Sequence, residues 1–254
     1  MRILICDMDN TLTESCQKLS KRMARYITKI TTKAEFAVIG GSNLSHIKEQ
    51  VLDQLNVPVH VLANSGTKYY KYNGKTLEKV YEIELEDKDK ILKAIDELMN
   101  EYKIKPESEQ IQDRGSQITL SCLGRNAPQK DKEAYDKNKK KRKKFVNYLK
   151  KKLKGFEITI GGTTSIDITK KGMNKGFGIK EFIRINNFDK EDCLFIGDGL
   201  FKGGNDYSVA GVVQVQKVDS PKDTEKIFKE VLTWTHSYSV VDKEKECPKI
   251  SPKH

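Results

Sequence analysis

Asp7 and Asp9 stand two residues apart directly behind the apolar run Ile3-Leu4-Ile5-Cys6, in the stretch Asp7-Met8-Asp9-Asn10-Thr11. Carboxylates placed there could attack phosphorus, relay a proton or hold a hard cation. Read alone they are equally the polar start of a capped turn, because Asp, Asn and Thr all favour loops and helix starts. Three further places carry side chains suited to the same chemistry: Ser42 behind Gly40-Gly41, Lys175, and Gly197-Asp198 followed by Gly203-Gly204-Asn205-Asp206. Carboxylates at several such places, with an amide among them, suit Mg²⁺, which prefers oxygen and bridges protein to phosphate. A serine hydroxyl and a lysine ammonium would hold the remaining phosphate oxygens. Taken singly, Ser42 reads as a helix cap and Lys175 as a solvated lysine.

These residues can act together only if the fold gathers them. From Ile3 the pattern alternates strand and helix: a strand to Cys6, then Leu19, Met23, Ile27 and Ile30 at helical spacing, then Phe36-Ala37-Val38-Ile39. A further helix through Ile47, Val51 and Leu55 and a strand at Val57 to Leu62 continue the βαβ rhythm. In an α/β, doubly wound parallel sheet the carboxyl ends of the strands share one edge, so distance along the chain does not oppose convergence. Tyr69 to Tyr72 and the strand-like piece after Asn73-Gly74 read as a β-hairpin.

From about Glu82 the texture changes. Two long charged helices, near Lys88 to Tyr102 and Lys132 to Lys152, alternate with strands at Gln117 to Cys122, Phe156 to Ile160 and Ser165 to Thr169. After Gly172 the first rhythm returns, with a helix near Gly176 to Arg184 and strands at Cys193 to Ile196 and near Val212 to Val215. The expected organisation is a discontinuous catalytic core, residues 1–81 and 172–235, interrupted by an α+β unit over 82–171. Residues 236–254, polar and carrying Pro248 and Pro252, read as a loose tail.

Composition narrows the class. The chain has 254 residues, 37% hydrophobic and 33% charged, and no apolar run of roughly 18 residues. Its start lacks the apolar region and cleavage site of a signal peptide, so no membrane association is expected and cytoplasm is the default. Five scattered cysteines, without a C-x-x-C pair, suggest neither a disulfide framework nor a zinc knuckle; Cys6 and Cys193 read as buried hydrophobes. Much of the net charge of +11 comes from Lys137 to Lys154, where Phe145, Tyr148, Leu149 and Leu153 recur at helical spacing. That segment reads as an amphipathic helix with a solvated basic face, contributing to the field that draws in a phosphorylated substrate. A nucleic-acid-binding module built on Lys139 to Lys144 is the rival from another class; it lacks a reading motif.

Asp7-x-Asp9-x-Thr11, Ser42 after a strand, Lys175, and Gly197-Asp198 with Asn205-Asp206 together resemble the four motifs of the haloacid dehalogenase-like (HAD) phosphotransferases. The inserted unit corresponds to the large C2-type α+β cap of one branch, over a Rossmann-like core. Within that branch the chain resembles the eukaryotic-type phosphomannomutases over nearly its whole length. Leu123-Gly124-Arg125, Gly161-Gly162-Thr163-Thr164-Ser165-Ile166-Asp167, Gly203-Gly204-Asn205-Asp206 and Pro221-Lys222-Asp223-Thr224 carry that likeness.

The resemblance implies a Mg²⁺-dependent enzyme acting on a small-molecule sugar phosphate, interconverting mannose 6-phosphate and mannose 1-phosphate or hydrolysing a related ester. Asp7 would be the nucleophile and Asp9 the general acid/base. Asp7, Asp198 and the backbone carbonyl of Asp9 would hold the metal, with Asn205 and Asp206 completing or buttressing its shell. Ser42 and Lys175 would bind the transferring phosphoryl group, Arg114, Arg125 and Lys132 the distal phosphate, and Ser165 and Asp167 the sugar. A homodimer through the cap follows by the same analogy. The chain departs from that pattern at Cys16 and Lys132, where arginines are expected, at Asn10 in place of glycine, and at Met173-Asn174 in place of an aromatic-acidic pair. Fewer bidentate phosphate grips favour hydrolysis over retention of a bisphosphate.

Overall fold

In the computed structural model, which describes residues 1–15, 17–105, 107, 109–161, 163–202 and 204–237, two sheets divide the chain. The first begins with β1 (Ile3–Asp7), α1 (Lys21–Ile30), β2 (Glu35–Ile39), α2 (Leu44–Gln50), β3 (Pro58–Ala63), β4 (Lys68–Asn73) and β5 (Leu77–Glu82). The second comprises β6 (Ile111–Asp113), β7 (Gln117–Ser121), β8 (Phe156–Ile160) and β9 (Ser165–Lys170), with α3 (Lys88–Glu101), α4 (Gln129–Tyr135) and α5 (Lys140–Lys152). The chain then returns to the first sheet through α6 (Lys175–Asn186), β10 (Cys193–Gly197), β11 (Gln214–Lys217) and α7 (Pro221–Ser237).

The seven-stranded sheet runs β11-β10-β1-β2-β3-β4-β5; its first five strands are parallel and the β4–β5 hairpin is antiparallel. Every residue of β1 is buried because helices cover both faces. Leu4 and Cys6 share a cluster with Met23 and Ile27 of α1, Ile47 of α2 and Phe228 of α7, whereas Ile3 and Ile5 cluster with Ile179 and Phe182 of α6. Alternate side chains thus serve opposite faces, and a strand apolar on both faces reads as an unbroken hydrophobic run. Burying each such side chain contributes about 1.5–3 kcal/mol, so β1 is fixed in place and its carboxyl end with it. No helix among the described residues is long and apolar enough to cross a membrane.

The four-stranded antiparallel sheet, order β6-β7-β9-β8, carries helices on one face. Ile91, Ile95 and Leu98 of α3 and Phe145 and Leu149 of α5 pack on Ile118, Leu120, Ile158, Ile166 and Ile168. The intervening positions put Gln117, Thr119, Ser121, Ser165 and Asp167 on the other, polar face. The fold is therefore the expected Rossmann-like α/β core with an inserted α+β cap.

Three details differ from the expectations. The helix expected over Lys132 to Lys152 is two helices, because Lys139 is left-handed (φ 56) and Asp136 caps α5, accepting from the Lys141 and Arg142 backbone N–H groups at 3.1 and 3.0 Å. Arg142, expected on the solvated face, is 2% exposed; its Nε lies 3.2 Å from Asp136 Oδ2, and its Nη1 donates to the Gly161 carbonyl at 3.2 Å. The expected tail begins inside α7, which extends to Ser237; residues 238–254, like Cys16, lie outside the described residues.

Candidate active site

After Asp7 the chain turns sharply, because the Met8 carbonyl accepts from the Leu12 and Thr13 N–H groups at 2.9 and 3.1 Å. Met8 and Leu12, each 1% exposed, anchor the turn, and Asn10 adopts φ 57. Asp7 is thereby presented at the carboxyl end of the central strand, 3% exposed.

Lys175 reaches it from the first residue of α6. Asn174 caps that helix, accepting from the Phe177 N–H at 3.0 Å. A lysine in the first turn opposes the helix dipole by roughly 0.3–1 kcal/mol, a cost its two partners offset. Its Nζ lies 2.6 Å from Asp7 Oδ1 and 2.5 Å from Asp206 Oδ1, with the Lys175 and Asp206 side chains 1% and 0% exposed. Gly176 makes this approach feasible: a Cβ there would stand 2.1 Å from the Ser208 carbonyl oxygen, so any side chain would push α6 off the turn that carries Asp206. Asp206 Oδ2 accepts from the Gly199 N–H at 2.9 Å, tying the turn back to Asp198.

Asp7, Asp198 and Asp206 offer oxygens that all lie within 4.8 Å of one another. Burial drives the Asp7 carboxyl up from 3.8 to about 7; Lys175 pulls it down and Asp206 pushes it up. Burial works against the Lys175 ammonium too, but Asp7 and Asp206 outweigh it and hold its pKa above the usual value. Three carboxylates facing one ammonium leave uncompensated negative charge among hard oxygen donors, which fits a divalent cation. The Asn10 amide sits 3.4 Å from Asp198 Oδ2 at the exposed side.

Asp9 is half-buried one turn beyond Asp7, in a bridge with Thr13, and its carboxylate lies outside that trio. Ser42, half-buried in the loop after β2, accepts through its carbonyl from the Asn64 N–H at 2.9 Å. Asn205 is exposed and sits against Gly199, where a Cβ would come within 2.0 Å of its Oδ1. A recess of about 700 Å³ lined by Arg2, Glu35, His60 and Lys71 lies at the amino ends of β1 to β3, on the edge opposite these carboxylates.

On the polar face of the cap, Gln117 Nε2 donates to Thr119 Oγ1 at 2.9 Å and the Thr119 hydroxyl to Asp167 Oδ1 at 2.8 Å, so Asp167 is held in place. Burial lowers the Arg114 pKa; Asp167 raises it and Arg125 lowers it further. Arg114 Nη2 donates to Gln112 Oε1 at 3.0 Å, while its Nε is buried without a partner. Ser165 is two residues from Asp167 on the same strand and face. Arg125 is exposed, 3.9 Å from Glu109, and Lys132 Nζ donates to the Arg125 carbonyl at 2.5 Å.

Two clusters thus stand on two sheets, an acidic one around a lysine and a cationic one around an aspartate. The profile of the eukaryotic phosphomannomutases matches residues 23–234. The chain belongs to that family. It is 30% identical over 244 residues to phosphomannomutase 1 of Dictyostelium discoideum, covering 90% of this chain and 96% of that one. The phosphomannomutase of Saccharomyces cerevisiae is also 30% identical over 244 residues, with 90% and 93% covered. In fold it is similar to a haloacid dehalogenase-like hydrolase from Bacteroides thetaiotaomicron, at 13% identity and TM-score 0.64, covering 93% of this chain and 98% of that one. The IMP-nucleotidase of Plasmodium falciparum matches with TM-score 0.65 at 17% identity, covering 92% and 68%. A phosphomannomutase-family chain with this acid cluster is a HAD-type enzyme.

Asn64, Thr119 and Arg142 carry no local sequence signal for the contacts they make. Asn64 stands at a strand end before Ser65-Gly66, a turn-like signal that gave no hint of its partners fifty residues away. Thr119 alternates with Ile118 and Leu120, a pattern that gives its face but not its partner 48 residues away, and Arg142 is hidden inside a run of lysines.

Proposed function

We propose that this phosphomannomutase-family protein is a Mg²⁺-dependent phosphotransferase on hexose phosphates, working through an aspartyl-phosphate and interconverting mannose 6-phosphate and mannose 1-phosphate. The observation that carries the reading is the buried Asp7–Lys175–Asp206 arrangement beside Asp198. An oxygen of Asp7 attacks phosphorus as the bond from phosphorus to the sugar oxygen breaks, and Asp9 gives the departing oxygen its proton. The Asp9 proton returns when the second hydroxyl is phosphorylated. Lys175 and Ser42 hold the phosphoryl oxygens, on which the charge of transfer is spread. Asp7, Asp198 and the Asp9 carbonyl, buttressed by Asn205 and Asp206, would hold Mg²⁺, which when bound neutralises charge on the transferring group. Arg114 and Arg125 grip the distal phosphate and Ser165 and Asp167 the sugar; the unpartnered Nε of Arg114 supports that role. We read the compartment as cytoplasmic from the sequence pattern at the amino end, and the assembly as a homodimer through the cap by analogy with the family.

One observation favours a second reading, hydrolysis of a sugar phosphate. Lys132 stands where a third arginine is expected, and its ammonium is bonded to the Arg125 carbonyl. A compact cation already engaged there leaves the distal phosphate fewer donors than a bidentate guanidinium would. Incubation of the protein and Mg²⁺ with each hexose monophosphate, with and without a hexose bisphosphate, separates the readings. Isomer formation that depends on the bisphosphate supports the mutase; release of phosphate without isomer overturns it in favour of hydrolysis.

A further inference from the structure

Two segments that the proposed reaction uses from opposite ends of the substrate meet at one residue that neither uses, Asn64, through its backbone N–H on the core side and its side-chain amide on the cap side. Asn64, 2% exposed, closes β3. Its backbone N–H donates to the Ser42 carbonyl at 2.9 Å. Its Nδ2 donates to the Arg114 carbonyl at 3.0 Å and to the Ser116 hydroxyl at 3.1 Å, and the Ser116 and Thr67 hydroxyls lie 2.5 Å apart. One residue therefore holds the loop carrying Ser42 on the core and the strand entry carrying Arg114 on the cap.

The backbone there is shaped for this junction. Asn64, Ser65 and Gly66 take φ values of 50, 58 and 85, so two non-glycine residues in succession occupy the left-handed region. Such conformations persist where the surroundings over-determine them, and they gather at clamps and switches. The Ser65 N–H donates to the Gly40 carbonyl at 2.8 Å, a second tie to the Ser42 loop. Gly66 packs on Gly178 of α6, where a Cβ on either would come within 2.6 Å of the other's Cα, so the helix that begins with Lys175 rests on the same turn. From the cap side, the Leu85 N–H donates to the Gly115 carbonyl at 2.9 Å. Asn64 Oδ1 is buried without a partner, so the side chain is kept there for its donors.

We propose that Asn64 is a positioning residue that sets the separation between the phosphoryl-transfer site on the core and the distal anion grip on the cap, and thereby selects substrates that carry an anion at both ends. The proposal rests on the roles given above to Ser42 and Arg114. Asn64 touches no substrate; it acts through the Ser42 and Arg114 main chains. Phosphoryl transfer is sensitive to displacements of about 1 Å, so loss of the bridging donors is felt where both ends of a substrate must be engaged. An ester with one phosphate and no distal anion does not sense it.

The test compares the full chain with Mg²⁺ on p-nitrophenyl phosphate and on a hexose 1,6-bisphosphate, in the wild type, Asn64→Gly and Asn64→Asp. Asn64→Gly keeps the left-handed backbone and removes the donors; Asn64→Asp keeps the shape and sets an acceptor against the Arg114 carbonyl. Both variants are expected to lower kcat/KM for the bisphosphate at least about tenfold, chiefly through KM, while kcat/KM for p-nitrophenyl phosphate stays within about twofold. A parallel fall on both substrates in whichever variant folds, or no change on either, overturns the proposal and leaves the phosphotransferase reading standing. A wild type that turns over neither ester and forms no isomer from a hexose monophosphate supplied with the bisphosphate overturns both.

Discussion

Lys175 Nζ lies 2.6 Å from Asp7 Oδ1 with both side chains essentially out of water, so the ion pair forms where charge is most costly to leave unpaired. The same ammonium bonds Asp206, and the lysine therefore supports the acidic cluster besides its proposed role at the phosphoryl group.

Lys175→Met removes the only cation bonded to Asp7 and Asp206 among the described residues and leaves buried carboxylates facing one another. The expected cost is about 3–5 kcal/mol, measured by urea unfolding without metal, together with loss of phosphotransfer. Added Mg²⁺ should restore part of the stability and none of the activity.

The raised Asp7 pKa fixes a sign for the dependence of stability on pH. Its folded value, about 7, stands above the ordinary 3.8, so its contribution is fully present below 3.8 and is lost as pH rises through about 7. Metal needs the ionised carboxylate, so the rise in Tm on adding Mg²⁺ to EDTA-treated protein should be larger near about pH 8 than near about pH 5.5. Equal rises at both values in differential scanning calorimetry would refute this.

Gly178→Ala sets two effects against each other. Alanine gains about 0.8–1 kcal/mol of helix propensity, but its Cβ would stand 2.6 Å from Gly66 Cα and 2.6 Å from the Ser65 carbonyl oxygen. Neither contact can give without moving backbone, and overpacking costs roughly 1–3 kcal/mol. The net expectation is a less stable protein, read as a lowered urea midpoint, with activity reduced because α6 carries Lys175.

Arg142 and Lys143 are adjacent in a basic run and should behave as opposites. Arg142→Ala leaves Asp136 buried with its cation gone, and a loss of about 3–5 kcal/mol is expected. Lys143→Ala, on the exposed side of α5, should fall within about 0.5 kcal/mol of wild type. Paired unfolding curves check both.

The contrast between those two residues shows where the sequence stops being readable. Strands buried on both faces announce themselves by composition alone, so β1, β2 and β10 and the acids at the ends of β1 and β10 were legible, as was the Asn73-Gly74 hairpin. Ser42, Lys175 and Asp206 were legible only as members of a set, because one hydroxyl or one ammonium has many bland uses. Arg142 was not legible, since the partner that buries it, Asp136, acts through a helix break that a run of lysines does not signal. Asn64 was hidden for a related reason: its hydrogen bonds cross fifty residues of chain, and local pattern carries no information about them. β6, three residues long at a sheet edge, is too short to show a period.

On this reading Asp7 carries the phosphoryl group. Rapid acid quench of the protein with Mg²⁺ and a hexose 1,6-bisphosphate, followed by peptide mass spectrometry, tests it directly. An acid-stable, base-labile phosphoryl group on the peptide containing Asp7, absent from Asp7→Asn, is the result expected. A phosphoryl group on another residue, or turnover retained by Asp7→Asn at the wild-type rate, would contradict it.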